Sequence, residues 1–158
     1  MWFFMNTCYL LTLITFILLV TTGLQGWLHF PILNANHPTF ALLTMIVYLF
    51  TETLVIFFFV GTGASIKEYT KEHHLKPDYQ RQSLAIKRKI YPPLLLNMLL
   101  VMILFISGGA VDTNRLPSWL HGTLYGICLL HFVAVIRIQH HSFKENTALV
   151  LRMSGVNS

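Results

Sequence analysis

Four apolar runs, nearly free of charge, follow one another along this chain: Thr7–Leu28, Thr39–Thr62, Tyr91–Val111 and Leu116–Ile136. A bilayer core takes roughly 20 apolar residues of helix, so each run is long enough to cross it. The runs are continuous rather than alternating with polar residues, which disfavours β spans. Polar punctuation separates them. Trp27-Leu28-His29-Phe30-Pro31 ends the first run, Asn34-Ala35-Asn36-His37 follows, and Pro38 suits the first turn of the second helix, where its missing N–H costs nothing. Gly61-Thr62-Gly63 closes the second span, with helix continuing toward Tyr69. Pro92-Pro93 opens the third, Gly108-Gly109 ends it, and Asp112–Arg115 reads as a tight turn. Pro117 and Ser118 start the fourth, which emerges at Arg137. The intervening segment Lys67–Lys89 is too polar to insert and reads as a basic loop, with a short surface helix around Gln80–Lys89.

Charge then orients the pattern. Ten of the eleven Lys and Arg residues lie in Lys67–Lys89 or from Arg137 onward, which puts those segments on the cytoplasmic side. The predicted fold is therefore an all-α integral membrane protein. Its four transmembrane helices form an antiparallel up-down bundle, residues 1–158 make a single membrane domain, and both termini are cytoplasmic. Little of the chain is left outside the membrane. Trp2–Gly26 has no basic n-region and runs long for a signal-peptide core, so it reads as a retained span. Trp27 and Trp119 mark the outer interface, and Trp2, Tyr69 and Tyr91 the inner one. A formal charge of +5 invites a nucleic-acid reading. The placement of the basic residues beside the spans argues against it and for anionic lipid headgroups. Cys8 and Cys128 lie within apolar spans and read as small packed hydrophobes, with no disulfide framework implied.

Candidate chemistry is confined to a few polar side chains inside the spans. Glu52 sits near the middle of the second, where a charged carboxylate is expensive and a neutral one still wants a partner. Thr44, Tyr48, Thr51 and Thr62 share its face, so the stripe should point inward. In the fourth span His121, Tyr125, Cys128 and His131 fall in one arc, and Gly122 and Gly126 form a small-residue pair that invites close helix approach. His121 and His131 are separated by roughly 15 Å along the axis, too far to share one metal. At the outer end, His37 and His121 are matched in depth as axial ligands of a b-type haem, with His29 and Asp112 nearby; copper or zinc is the alternative metal. Further in, His131, Asn97 and Glu52, the last about one turn further out than His131, are expected around a quinone or a proton path. The doublets His73-His74 and His140-His141 lack the preceding histidines of membrane di-iron enzymes and read as solvated surface.

The segment His121-Gly122-Thr123-Leu124-Tyr125-Gly126, with His131 following in the same helix, resembles the haem-b membrane anchors of quinone-linked respiratory enzymes such as succinate dehydrogenase. The resemblance covers one helix, and those anchors commonly have three spans per subunit or five in a fused chain. It implies a membrane subunit of an electron-transfer complex, partnered by other membrane-protein subunits, in a bacterial inner membrane or an equivalent energy-transducing membrane. Two rivals stand beside it. One is a cofactor-free accessory or assembly subunit. The other is a small membrane enzyme acting on a lipid-soluble substrate, of the membrane-bound glutathione-transferase-like kind, with Arg81, Arg88 and Arg137 supplying a basic inner pocket.

Overall fold

In the computed structural model, which describes residues 1–32 and 34–155, the chain forms four helices: α1 (Trp2–Leu28), α2 (His37–Glu72), α3 (Asp78–Asp112) and α4 (Ser118–Met153). All four are long and apolar enough to cross a membrane, the architecture of an integral membrane protein.

The outer helix ends follow local chain chemistry. His29 closes α1 in the left-handed region (φ 54°), its N–H returning to the Gln25 carbonyl at 2.9 Å. Asn36 caps α2 through its side chain, which accepts from the Thr39 N–H at 3.1 Å, and Pro38 occupies the first turn. Asn114 turns the chain between α3 and α4 at φ 55°, a conformation asparagine tolerates better than most residues.

The inner ends depart from the sequence expectation. The basic segment Lys67–Lys89 is mostly helical, since α2 continues to Glu72 and α3 begins at Asp78. The connection between them is short. Likewise α4 does not stop at the surface near Arg137 but runs to Met153. Polarity forbids insertion into lipid without forbidding helix, and Lys, Glu, Gln and Arg are good helix formers. Packing then holds these extensions together, because Ile66, Ile86, Phe143 and Leu149 form one buried cluster with Phe58 and Phe59. Pro92 and Pro93, expected to open a span, lie inside α3. They withdraw two donors from the ladder at the boundary between apolar and polar residues, where water can serve the freed carbonyls. At about 1.5 Å per residue, helices of 35 and 36 residues are over 50 Å long, against a hydrocarbon core of about 30 Å. The helices are thus longer than a span requires, and the polar residues after Lys67 and after Arg137 extend them rather than forming loops.

Neighbouring helices are tied by polar pairs at several levels. Thr15 meets Thr51 at 2.9 Å and Thr22 meets Thr44 at 2.7 Å, joining α1 to α2. Tyr48 joins α2 to α3 through Asn97, and Ser107, Asn97 and Lys89 of α3 meet His121, His131 and Glu145 of α4. Tyr9 bonds His140 at 3.0 Å, and the Tyr125 hydroxyl reaches the Leu19 carbonyl at 3.2 Å, closing α1 on α4. The core has two apolar clusters. One contains Leu19, Met45, Val101, Leu104 and Phe132, and the other Cys8, Val55, Phe59, Leu94 and Phe143. The levels between them hold buried polar residues: Thr12, Thr15, Thr51, Glu52 and Asn97. Large apolar side chains cover the outside, among them Trp27, Ile106, Trp119 and Leu130, consistent with bilayer contact.

Gly122 and Gly126 do not serve helix packing within the chain, since a methyl group added at either would meet nothing within 4 Å. Close approaches occur instead at Gly23, which lies beneath the Tyr125 ring, and at Gly63, which lies beneath the Lys87 side chain.

Candidate functional site

Three polar groupings are stacked along the interior. The outermost brings His37 of α2 and His121 of α4 together, their ring centroids 6.5 Å apart and planes at 80°. Each ring rests on a glycine. A Cβ at Gly26 would stand 3.0 Å from His37 Cε1, and one at Gly108 would stand 3.3 Å from His121 Cε1. Asp112 is close enough to act electrostatically on both rings, and His29 on His37.

The Ser107 oxygen stands 2.7 Å from the Leu104 carbonyl and 2.8 Å from His121 Nδ1. When its one proton goes to the carbonyl, the oxygen accepts from His121 Nδ1 and Nε2 keeps a bare lone pair, the tautomer of a metal-ligating histidine held by an outer partner. Opposite it, the ring of half-buried His37 lies against the Thr22 backbone, and its Nδ1 has no hydrogen-bond partner among the described residues.

The middle grouping is Tyr48, Asn97 and His131. Cys128 presents a backbone carbonyl, which can only accept, to Asn97 Nδ2 at 3.2 Å, and this orients the amide. Asn97 Oδ1 then receives the Tyr48 hydroxyl at 2.6 Å, and the second proton of Nδ2 points to His131 Nδ1 at 3.0 Å. His131 Nδ1 is thus an acceptor, and its proton sits on Nε2. Half-buried His131 keeps Nε2–H as its donor.

The third grouping is Glu52 and Gln139. Glu52 is fully buried, Gln139 Nε2 donates to its Oε2 at 2.6 Å, and Oε1 has no partner. The expected trio of Glu52, Asn97 and His131 is therefore divided. Asn97 and His131 meet, but Glu52 lies deeper, beside Gln139, and Tyr48 takes the place beside Asn97. Depth read from the centres of the apolar runs placed Glu52 about one turn outward of His131. The register of α2 on α4, which sets His37 against His121 and Thr62 against Asn146, places it inward.

Gln139 was missed because it lies beyond the expected end of the fourth span. The signal was present: Cys128, Phe132, Val135, Gln139, Ser142, Asn146 and Leu149 repeat at three and four residues, and all are buried. The remaining histidines are peripheral. His73 and His74 are exposed, while His140 bonds Tyr9 and His141 meets Glu145 at 2.9 Å. Arg81, Arg88 and Arg137 are exposed. Among the described residues no three His, Cys, Asp or Glu side chains converge as a metal centre.

Comparison with protein-family models, curated proteins and solved structures finds no match to this chain.

Proposed function

We propose that this chain is an integral membrane subunit of an electron-transfer complex that holds a b-type haem between His37 and His121. In this reading the four helices run up and down through an energy-transducing membrane such as the bacterial inner membrane. Both termini and the basic segments lie on the cytoplasmic side, and other membrane subunits supply the catalytic partners.

The observation that carries the reading is the pairing of His121, whose Nδ1 is engaged by Ser107, with half-buried His37, the two ring centroids lying 6.5 Å apart. A nitrogen ligand sits about 2 Å from a transition metal, so two imidazoles on one ion have ring centres roughly 6 Å apart. The 6.5 Å separation agrees with that. A zinc or copper centre wants three or four protein donors, and no such group is assembled among the described residues. A haem needs only two, because the porphyrin supplies four nitrogens. When bound, it would supply one-electron transfer through the outer half of the membrane. His131, whose proton sits on Nε2, would suit the carbonyl of a quinone dissolved in the bilayer.

The test is a reduced-minus-oxidised absorption spectrum of the purified protein. A b-type band is expected in the wild type, lost in His121→Ala and in His37→Ala. It is retained in His131→Ala, whose lone pair is already engaged by Asn97. A protein purified from haem-replete cells without any such band refutes the assignment and leaves a cofactor-free accessory subunit.

A further inference from the structure

Six buried side-chain polar atoms lack a hydrogen-bond partner among the described residues, and three belong to residues at successive levels of the α2–α4 contact: Glu52 Oε1, beside Gln139, then Ser142 Oγ and Asn146 Nδ2. Their residues are 0%, 0% and 2% exposed. Gln139, Ser142 and Asn146 occupy successive turns of the buried face of α4. Along the axis Gln139 to Ser142 is about 4.5 Å and Ser142 to Asn146 about 6 Å. Residue spacings of this size suit single bridging waters. Below Asn146, Thr62 Oγ1 contacts Asn146 Oδ1 at 3.4 Å. Thr62 also lines an open cavity of about 350 Å³, with Met1, Phe4, Ser65, Val150 and Met153 around it. This cavity lies at the inner end of the bundle, where α1 begins. Buried polar groups are otherwise nearly always paired, and unpaired ones in a row are the usual hosts of internal water.

We propose that Glu52 is a proton-exchange site, served from the inner end of the bundle by a file of water running past Ser142 and Asn146 to the cavity at Thr62. Neutral Glu52 releases its proton from Oε1 to the adjoining water. The Ser142 hydroxyl accepts one proton and passes on another, and one proton reaches the inner solution. The carboxylate left behind keeps its bond from Gln139, and uptake reverses each step. The titratable side chains near enough to feel Glu52 are Cys8 of α1 and Tyr48 of α2, while α4 presents the neutral Gln139. None of these carries a charge at neutral pH. With no cation there to hold an anion in the interior, the acid form is the resting one.

This inference rests on the membrane-spanning reading and not on the haem, and its test reads a different signal. In lipid nanodiscs the infrared spectrum should contain the carbonyl stretch of a neutral carboxylic acid that disappears in Glu52→Gln. On transfer to deuterated buffer, that band shifts as the proton exchanges. Ser142→Ala and Asn146→Leu should each slow the shift by on the order of tenfold, the rate equivalent of one lost hydrogen bond. Thr22→Val, in the outer half between α1 and α2, should not. Ser142→Ala removes a single oxygen and serves where Asn146→Leu fails to fold. Absence of a band assignable to Glu52, or exchange as fast in Ser142→Ala as in wild type, overturns the proposal. Either result leaves the absorption spectrum free to decide the haem.

Discussion

Replacing Gln139 by leucine strips the one side-chain hydrogen bond that Glu52 makes among the described residues, while keeping most of the side-chain volume. The bond is short, 2.6 Å, and both residues are sealed from solvent at 0% and 2% exposure. Oε1 has no protein partner among the described residues, so Gln139→Leu leaves the Glu52 carboxyl without any side-chain hydrogen bond there. Stranding a buried polar group costs about 1–3 kcal/mol, more than the net worth of the bond itself. Membrane hydrogen bonds measured by double-mutant cycles contribute about 0.6 kcal/mol on average, so most of the loss belongs to the orphaned group. Replacing Glu52 by leucine as well removes that orphan. The double variant should recover most of the stability lost in Gln139→Leu, because a wholly apolar pair is nearly neutral. The assay is reversible unfolding of the four proteins of the cycle in mixed micelles. Gln139→Leu unfolding at the wild-type midpoint, or a double variant weaker than Gln139→Leu, would refute the reasoning.

Two glycine substitutions on facing helices should behave in opposite ways. Gly23→Ala drives a methyl group into the Tyr125 ring and should cost about 1–3 kcal/mol by overpacking. Gly122→Ala meets nothing within 4 Å and should gain up to about 1 kcal/mol of helix propensity in the isolated chain; thermal unfolding in detergent separates them. At the inner end, outside the apolar run of α3, burial over Gly63 holds the Lys87 ammonium below its ordinary value of 10.5. The folded state then binds that proton less tightly than the unfolded chain, so a cost is present at neutral pH and fades as pH rises toward 10.5. Lys87→Met should therefore be more stable than wild type at pH 7, with an advantage that narrows in alkali; a pH-independent difference would contradict this. The exposed Lys89–Glu145 pair, 3.3 Å apart, should matter little. Glu145→Ala is expected to shift stability by no more than about 1 kcal/mol, as a denaturation midpoint will show.

Much of this molecule is determined by its sequence because the bilayer asks for so little else. Four uninterrupted apolar runs define four spans, and the residues of α2 at helical spacing around Glu52 define its inward stripe. Thr44, Tyr48, Thr51 and Glu52 are indeed all buried. Asn36, Pro38 and Pro117 mark helix starts through local backbone chemistry, which needs no neighbour. What the apolar runs do not contain is where a helix stops once it leaves lipid. A polar segment is equally suited to a loop or to a solvated helix, and only the cluster of Ile66, Ile86, Phe143 and Leu149 decides for helix.

Register likewise belongs to the tertiary structure. The pairing of His37 with His121 was suggested by depth, but the descent of Glu52 to Gln139 depends on how α2 slides along α4, a distance that no single helix encodes. The hydrogen bonding of His121 and His131, and with it the place of each ring proton, depends on third residues, Ser107 and Asn97, contributed by α3. A histidine's proton goes where its neighbour leaves room for it, and neighbours exist only after the helices have met.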